Sequence, residues 1–204
     1  MFDWLLPENH AIAILKKDHD TVKALFDDYD RTEVNAARTI IDKALMELKI
    51  HAVIEEEIFY PTVRKHVGAG VMNEADEEHH VAKVLIAELE QRSGGGDHRD
   101  AKFRVLAESV RHHIKEEEEK MLPAAKDLDI DFERLGVRMI ARKNELLKKG
   151  IPTDREHAMV SKAGRSADSP AAASRKKATS ARAARTPRRT ASARTTKARK
   201  SASR

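Results

Sequence analysis

The sequence contains no cysteine. That excludes a disulfide framework, a cysteine-ligated iron–sulfur cluster and a cysteine zinc site, and leaves histidine and carboxylate as the metal-ligating side chains. It also lacks any long uncharged stretch. Met1-Phe2-Asp3-Trp4 gives way quickly to charge, so neither a secretory signal nor a membrane span is predicted, and a cytoplasmic protein is expected. Aromatics are scarce, with one Trp, two Tyr and five Phe, so a core must rest mainly on Leu, Ile, Val and Ala.

Charge is present but segregated. Residues 161–204 carry 14 Lys/Arg and one acid, Asp168, for a net +13. Residues 1–160 carry 25 Lys/Arg and 33 Asp/Glu, for a net −8, and hold all ten histidines. These are two physically different segments and are read separately.

The acidic segment shows helical periodicity. Ile12, Leu15, His19, Val22 and Phe26 recur at spacings of three and four, which predicts a helix over about 8–30. Ala37, Ile41, Ala44, Leu48, His51, Glu55 and Ile58 predict a second over about 34–66, with Pro61 kinking or restarting it and Gly68 and Gly70 ending it. Met72, Ala75, His79, Ala82, Ile86 and Leu89 predict a third over about 72–91, followed by the loop Ser93-Gly94-Gly95-Gly96. Phe103, Leu106, Val110, His113 and Glu117 predict a fourth over about 100–122, closed or turned by Pro123. A weaker stripe, Phe132, Leu135, Met139, Arg142 and Leu146, predicts a fifth helix over about 131–149, packed on the outside. Long helices with short connections give an all-α, up-down-up-down four-helix bundle.

Each of the four long stripes is interrupted by a histidine. Two add a glutamate four residues later, His51 with Glu55 and His113 with Glu117, so both side chains share a face. Six groups can therefore converge inside the bundle: His19, His51, Glu55, His79, His113 and Glu117. One histidine on an apolar face is more often a hydrogen-bonded core residue than a ligand. Six inward polar groups, two of them carboxylates, are costly to bury unless a metal binds them. Imidazole and carboxylate suit iron, manganese or zinc, and two carboxylates suit bridging a metal pair. His80 is the reserve candidate on the third helix. Glu118 is an alternate to Glu117, Glu56 is placed to hydrogen-bond a ligand histidine, and Tyr60 to line the site or pack. His112 should point elsewhere, and His10, His66, His98 and His157 are expected on the surface.

The segments Lys17-Asp18-His19-Asp20, His51 through Glu55-Glu56-Glu57 to Pro61, Glu78-His79-His80, and His113 through Glu117-Glu118 to Pro123 resemble the haemerythrin-like, HHE cation-binding domain family. The resemblance spans about residues 10–123 and implies a closed bundle around a non-haem di-iron centre. Oxygen carriers of that family use five histidines and two bridging carboxylates. The sequence departs from them on the third helix, where Ala75 and Lys83 flank His79 at four residues and no second histidine is supplied. Glu118, five residues after His113, matches the carriers' spacing better than Glu117 does. The departures point from reversible oxygen carriage toward sensing of oxygen, iron or redox state, iron handling or oxidative-stress response, with dioxygen, peroxide or nitric oxide as ligands. A di-iron oxidoreductase acting on peroxide or nitric oxide is the alternative.

The basic segment is rich in Ala, Ser, Thr, Arg and Lys, includes Pro170 and Pro187, and has no aromatic residue. Such a composition cannot bury enough apolar surface to fold alone, so a disordered tail is expected. It resembles the basic tails of linker-histone-like proteins. Its cations suit counterion exchange with nucleic acid over residues 162–204, without base readout, which admits a nucleoid location and a DNA-associated structural role. The expected domains are a metal-binding bundle over 1–125, an accessory helix over 126–150 and a tail over 151–204.

Overall fold

A histidine opens the first helix. In the computed structural model His10 has extended backbone, and its Nδ1 accepts from the Ile12 N–H at 3.3 Å, so α1 runs from there over Ala11–Arg31. The His10 ring stacks on Phe132, 5.1 Å between centroids, and is partly buried instead of lying on the surface. The structure describes residues 6–32, 37–91 and 96–167.

The second element is α2 (Ala37–Ile54), which passes through a π-helical turn, π1 (Glu55–Phe59), into α3 (Tyr60–Val67). Gly68, at φ +97, turns the chain into α4 (Ala69–Glu90), a conformation that favours glycine. The fourth long helix is α5 (Gly96–Glu116), continued by π2 (Glu117–Met121) and α6 (Leu122–Lys126). Both π turns have the same cause. Pro61 and Pro123 are the second residues of α3 and α6, and a proline offers no N–H and crowds the carbonyl four residues back. The backbone widens ahead of each: the Tyr60 N–H bonds the Glu55 carbonyl and the Leu122 N–H that of Glu117, five residues back. Pro123 therefore does not end the fourth helix, as the sequence pattern suggested; the helix absorbs it and continues to Lys126.

α1 packs on α2 and α5, and α4 packs on α5 and α2, as an all-α bundle. Two apolar clusters fill it. Ile12, Leu15, Ile54, Phe59, Met72 and Met121 belong to one, and Val22, Phe26, Leu48, Ile86, Leu106 and Val110 to the other. The histidine of each stripe falls between them, so a polar layer divides the apolar interior.

α7 (Phe132–Lys149) packs on α1, α2 and π1, with Asp131 accepting from the Arg134 N–H at its start. Phe132, Leu135, Met139 and Leu146 join the first cluster, while Arg142 faces outward onto Glu57. Gly136 lets the helix approach closely, since a Cβ there would lie 1.9 Å from the Asn9 carbonyl oxygen. A helix also forms where the sequence pattern places only tail: α8 (Arg155–Ala167). The expected tail starts at 151, yet Glu156 is buried, accepting from His80 Nδ1 at 2.7 Å, and Asp154 accepts from the His157 N–H. The rest of the expected disordered tail, residues 168–204, lies outside the described residues. No described helix is long and apolar enough to cross a membrane.

Candidate metal centre

The polar layer gathers all six groups singled out in the sequence. His19 comes from α1, His51 from α2, His79 from α4 and His113 from α5; Glu55 and Glu117 are the first residues of π1 and π2. None of the six is more than 6 % exposed. His19, His51, Glu55 and Glu117 each bring a ligand atom within 4.8 Å of the others, and so do Glu55, His79 and His113. Glu55 belongs to both groups. Its Oε2 is 3.2 Å from His51 Nε2 and 3.3 Å from His79 Nε2. Glu117 Oε2 lies 3.1 Å from His19 Nε2 and 3.7 Å from His113 Nε2. Two carboxylates thus sit between two pairs of imidazoles.

The other nitrogen of each ring faces an acid. His19 Nδ1–H donates to Glu118 at 3.0 Å, His79 Nδ1–H to Glu56 at 2.9 Å and His113 Nδ1–H to Glu78 at 2.8 Å. Asp18 stands 3.8 Å from His51 Nδ1 and is held by Lys143 Nζ of α7 at 2.6 Å. For His19, His79 and His113 these contacts hold the proton on Nδ1 and turn Nε2 inward as the atom a metal would take.

Five of the inward atoms lack hydrogen-bond partners, while His79 Nε2 and His113 Nε2 lie 3.1 Å apart. Both Glu55 oxygens, Glu117 Oε2, His19 Nε2 and His51 Nε2 are buried and unsatisfied despite their short mutual distances, because the contacts are misaligned. Leaving a buried carboxylate so is expensive, and a bound cation removes the penalty. The nitrogen and oxygen donors, with no sulfur, fit iron, manganese or zinc. Charge tells the same story. Burial alone would lower His19 and His79, yet the neighbouring carboxylates outweigh it and lift them to about 9 and about 10. Burial alone would raise Glu117, but the histidine charges hold it well below the usual carboxylate range.

Tyr60 closes one side. Its hydroxyl donates to Glu117 Oε1 at 2.8 Å and lies 3.1 Å from His79 Nε2; burial first, then the Glu55 and Glu117 charges, push the phenol well above its ordinary value. On another side a small, partly open pocket of about 30 Å³ touches all four histidines and is otherwise walled mainly by Val22, Leu48, Ala82, Ile86, Val110 and Ile114. It has room for about two water-sized centres, so a small diatomic ligand could sit beside the donors.

The remaining expectations sort by contact. Glu118 reaches only the outer nitrogen of His19, with His19 and Lys23 holding its carboxyl down to about 2. Glu56 supports His79 as its spacing suggested. His80 turns away to Glu156. His112 is exposed, 3.6 Å from Glu78, and His66 and His98 are exposed. His157 is partly buried, 3.4 Å from Glu90. Sequence reasoning missed Asp18, Glu78 and Lys143. A signal existed: an acid immediately precedes each of the two cluster histidines that has no HxxxE partner, Asp18 before His19 and Glu78 before His79.

A family model described as Hemerythrin HHE cation binding domain matches residues 10–125. An uncharacterized protein of Mycobacterium tuberculosis, Rv2633c, is 30% identical over 150 residues, covering 70% of this chain and 89% of the relative. A DNA nickase of Nostoc is 26% identical over 115 residues, covering 56% of this chain but 33% of that protein. Among solved structures, a Hemerythrin HHE cation binding domain-containing protein from Mycobacterium kansasii, a homologue of Rv2633c, superposes with a TM-score of 0.57 at 27% identity, covering 69% of this chain and 94% of that one.

Proposed function

The chain belongs to the hemerythrin HHE cation-binding family, and from that premise we propose that it is a non-haem di-iron protein of oxygen, iron or redox sensing, iron handling or oxidative-stress response. One observation carries the reading. Glu55 is shared between two histidine groups, and its two buried oxygens have no hydrogen-bond partner. His19, His51 and Glu117 would hold one metal, His79 and His113 the other, with Glu55 between them. Such a pair supplies Lewis acidity and one-electron chemistry toward small oxygen or nitrogen ligands. The chain's own part is to hold the imidazoles by their outer nitrogens, exclude water with two apolar clusters and leave a small pocket open. Four histidines and two carboxylates do not saturate two metals, which favours a reactive or sensing role over clean carriage. Metal analysis of protein produced in iron-replete medium tests this. About two irons per chain, with charge-transfer absorption, is the expected result. A chain that takes up no iron and melts at the same temperature with and without it would overturn the reading.

The same donors favour a second reading, an oxidoreductase consuming peroxide or nitric oxide, because the small pocket adjoins unsaturated metal positions. Multiple turnovers by the iron-loaded protein would distinguish it. The basic segment supports a third element, non-specific DNA association through residues 162–204 and hence a nucleoid location. It rests on the charge of that segment; the DNA nickase similarity covers a third of that protein and carries no activity across.

A further inference from the structure

Lys83 lies one turn after His79 on α4 and borders three cavities. It lines the small pocket of about 30 Å³ beside the four histidines, an open groove of about 780 Å³ along α3, α4 and the start of α8, and a cavity of about 50 Å³ under Pro152 and His157. Its ammonium lies on the groove side, 2.9 Å from Glu56 Oε1 and 3.8 Å from Glu156 Oε2, and both of those acids line the groove. Neither lines the small pocket. Among the described residues Lys83 alone lines both pocket and groove, and with its ammonium pinned on the groove side its alkyl stem is placed between them.

A matched residue shows what is particular about it. Lys23 lies one turn after His19 on α1 and sits 3.2 Å from Glu118, which supports His19 as Glu56 supports His79. Lys23 takes no part in lining the small pocket. The two lysines make the same kind of ion pair, but Lys83 also makes a wall. α8 contributes to holding it there, since Glu156 is 3 % exposed and is fixed by His80 as well.

We propose that Lys83 is the residue that sets the size of ligand admitted to the centre: its stem closes the pocket to anything beyond two or three atoms, and Glu56 and Glu156 hold the closure in place. The ligand half of this rests on the di-iron reading; the wall does not. The test therefore has one arm without metal. The metal-free full chain is treated with diethyl pyrocarbonate and each histidine is followed by mass spectrometry. His66 and His98 should react at once and the four buried histidines slowly. In Lys83→Ala the pocket-lining His51 and His113 should react about tenfold faster, whereas Lys23→Ala should match the parent; His19 and His79, which hold their protons without metal, react poorly in every variant and are not the readout. In the iron-loaded arm the parent should bind azide but not imidazole, and Lys83→Ala should bind both. Lys83→Met keeps the stem and should still exclude imidazole. Unchanged protection in Lys83→Ala, equal exposure in Lys23→Ala, or imidazole binding by Lys83→Met would each overturn the proposal. A parent chain free of iron would overturn the metal reading alone, because the modification arm needs none.

Discussion

Glu78 precedes His79 in the chain but serves a different histidine, with its Oε2 2.8 Å from Nδ1 of His113. Asp18 precedes His19 and faces Nδ1 of His51 in the same way, though at 3.8 Å. Each acid–histidine pair thus spans two helices: the histidine faces the centre and the acid supports the histidine of the neighbouring helix. The bundle's halves repeat this device, and they diverge where α7 intervenes, because Lys143 draws the Asp18 carboxylate to itself at 2.6 Å.

Removing the support while keeping the donors is the first consequence. Glu78→Ala leaves His113 in place but frees its ring to rotate and change tautomer. Metal affinity should fall by about 10- to 100-fold, with Glu78→Gln falling less because its carbonyl still accepts from Nδ1–H. Competition against a chelator of known affinity measures it. An unchanged affinity in Glu78→Ala would show that the contact does not orient the ring.

Removing a donor should cost more. His51→Ala and His113→Ala are each expected to lose bound metal, since each deletes an inward nitrogen of the cluster. His98→Ala, an exposed position, should retain the parent's metal content. Elemental analysis of the three purified variants decides the matter.

Much of this was legible because helices repeat. The stripe containing Leu48, His51 and Glu55 can face only one way, and four such stripes leave little choice of interior. The two proline-terminated runs were visible too, but their effect was not. A proline that usually ends a helix is here absorbed by a π turn starting at the carboxylate, and nothing local says whether tertiary packing will favour that over a break. Lys143 was out of reach for another reason: it lies 125 residues from Asp18, and only the docking of α7 brings them together. α8 was hidden by composition, since its basic flank reads as tail and its one buried acid, Glu156, becomes meaningful only opposite His80.

The metal-free protein should respond to pH in a stated direction. His19 is raised from 6.5 to about 9 and His79 from 6.5 to about 10, so both carry protons at neutral pH without metal. A raised histidine stabilises the fold fully below its ordinary value, and that contribution is lost as pH climbs through 9 and 10. The metal-free melting temperature should accordingly fall across that alkaline range. Metal must displace the same protons, so binding at pH 7 should release about two per chain. Calorimetry in buffers of different ionisation enthalpy reads the number directly, and a value near zero would contradict the charge state inferred for the metal-free protein.

Gly136 tests whether α7 is part of the working structure. A methyl there would fall 1.9 Å from the Asn9 carbonyl oxygen and 2.9 Å from the Ala11 nitrogen, both backbone atoms that cannot swing aside. Gly136→Ala should force α7 outward, cost about 1–3 kcal/mol and lower the melting temperature by several degrees. Because Lys143 travels with α7, metal affinity should change as well as stability. A melting curve paired with a chelator titration separates the two, and a variant as stable as the parent would mean the helix can slide without loss.

The basic segment makes the last prediction. Residues 161–204 carry 14 cations against one acid, while the preceding 160 residues are net −8, so any affinity for duplex DNA should reside almost entirely in that segment. Truncation after Ala167 keeps α8 and its buried Glu156, which a cut near residue 150 would remove. The truncated chain should bind metal as the full chain does and bind DNA far more weakly at low salt. In the full chain log affinity should fall steeply with log salt, by about 0.9 for each phosphate neutralised, and without preference among duplex sequences, since the segment has no aromatic to stack on a base. Fluorescence anisotropy across a salt series measures both slope and preference. Equal binding by the two chains at low salt would place the affinity on the bundle, against its own net charge, and remove the reason for assigning the tail to nucleic acid.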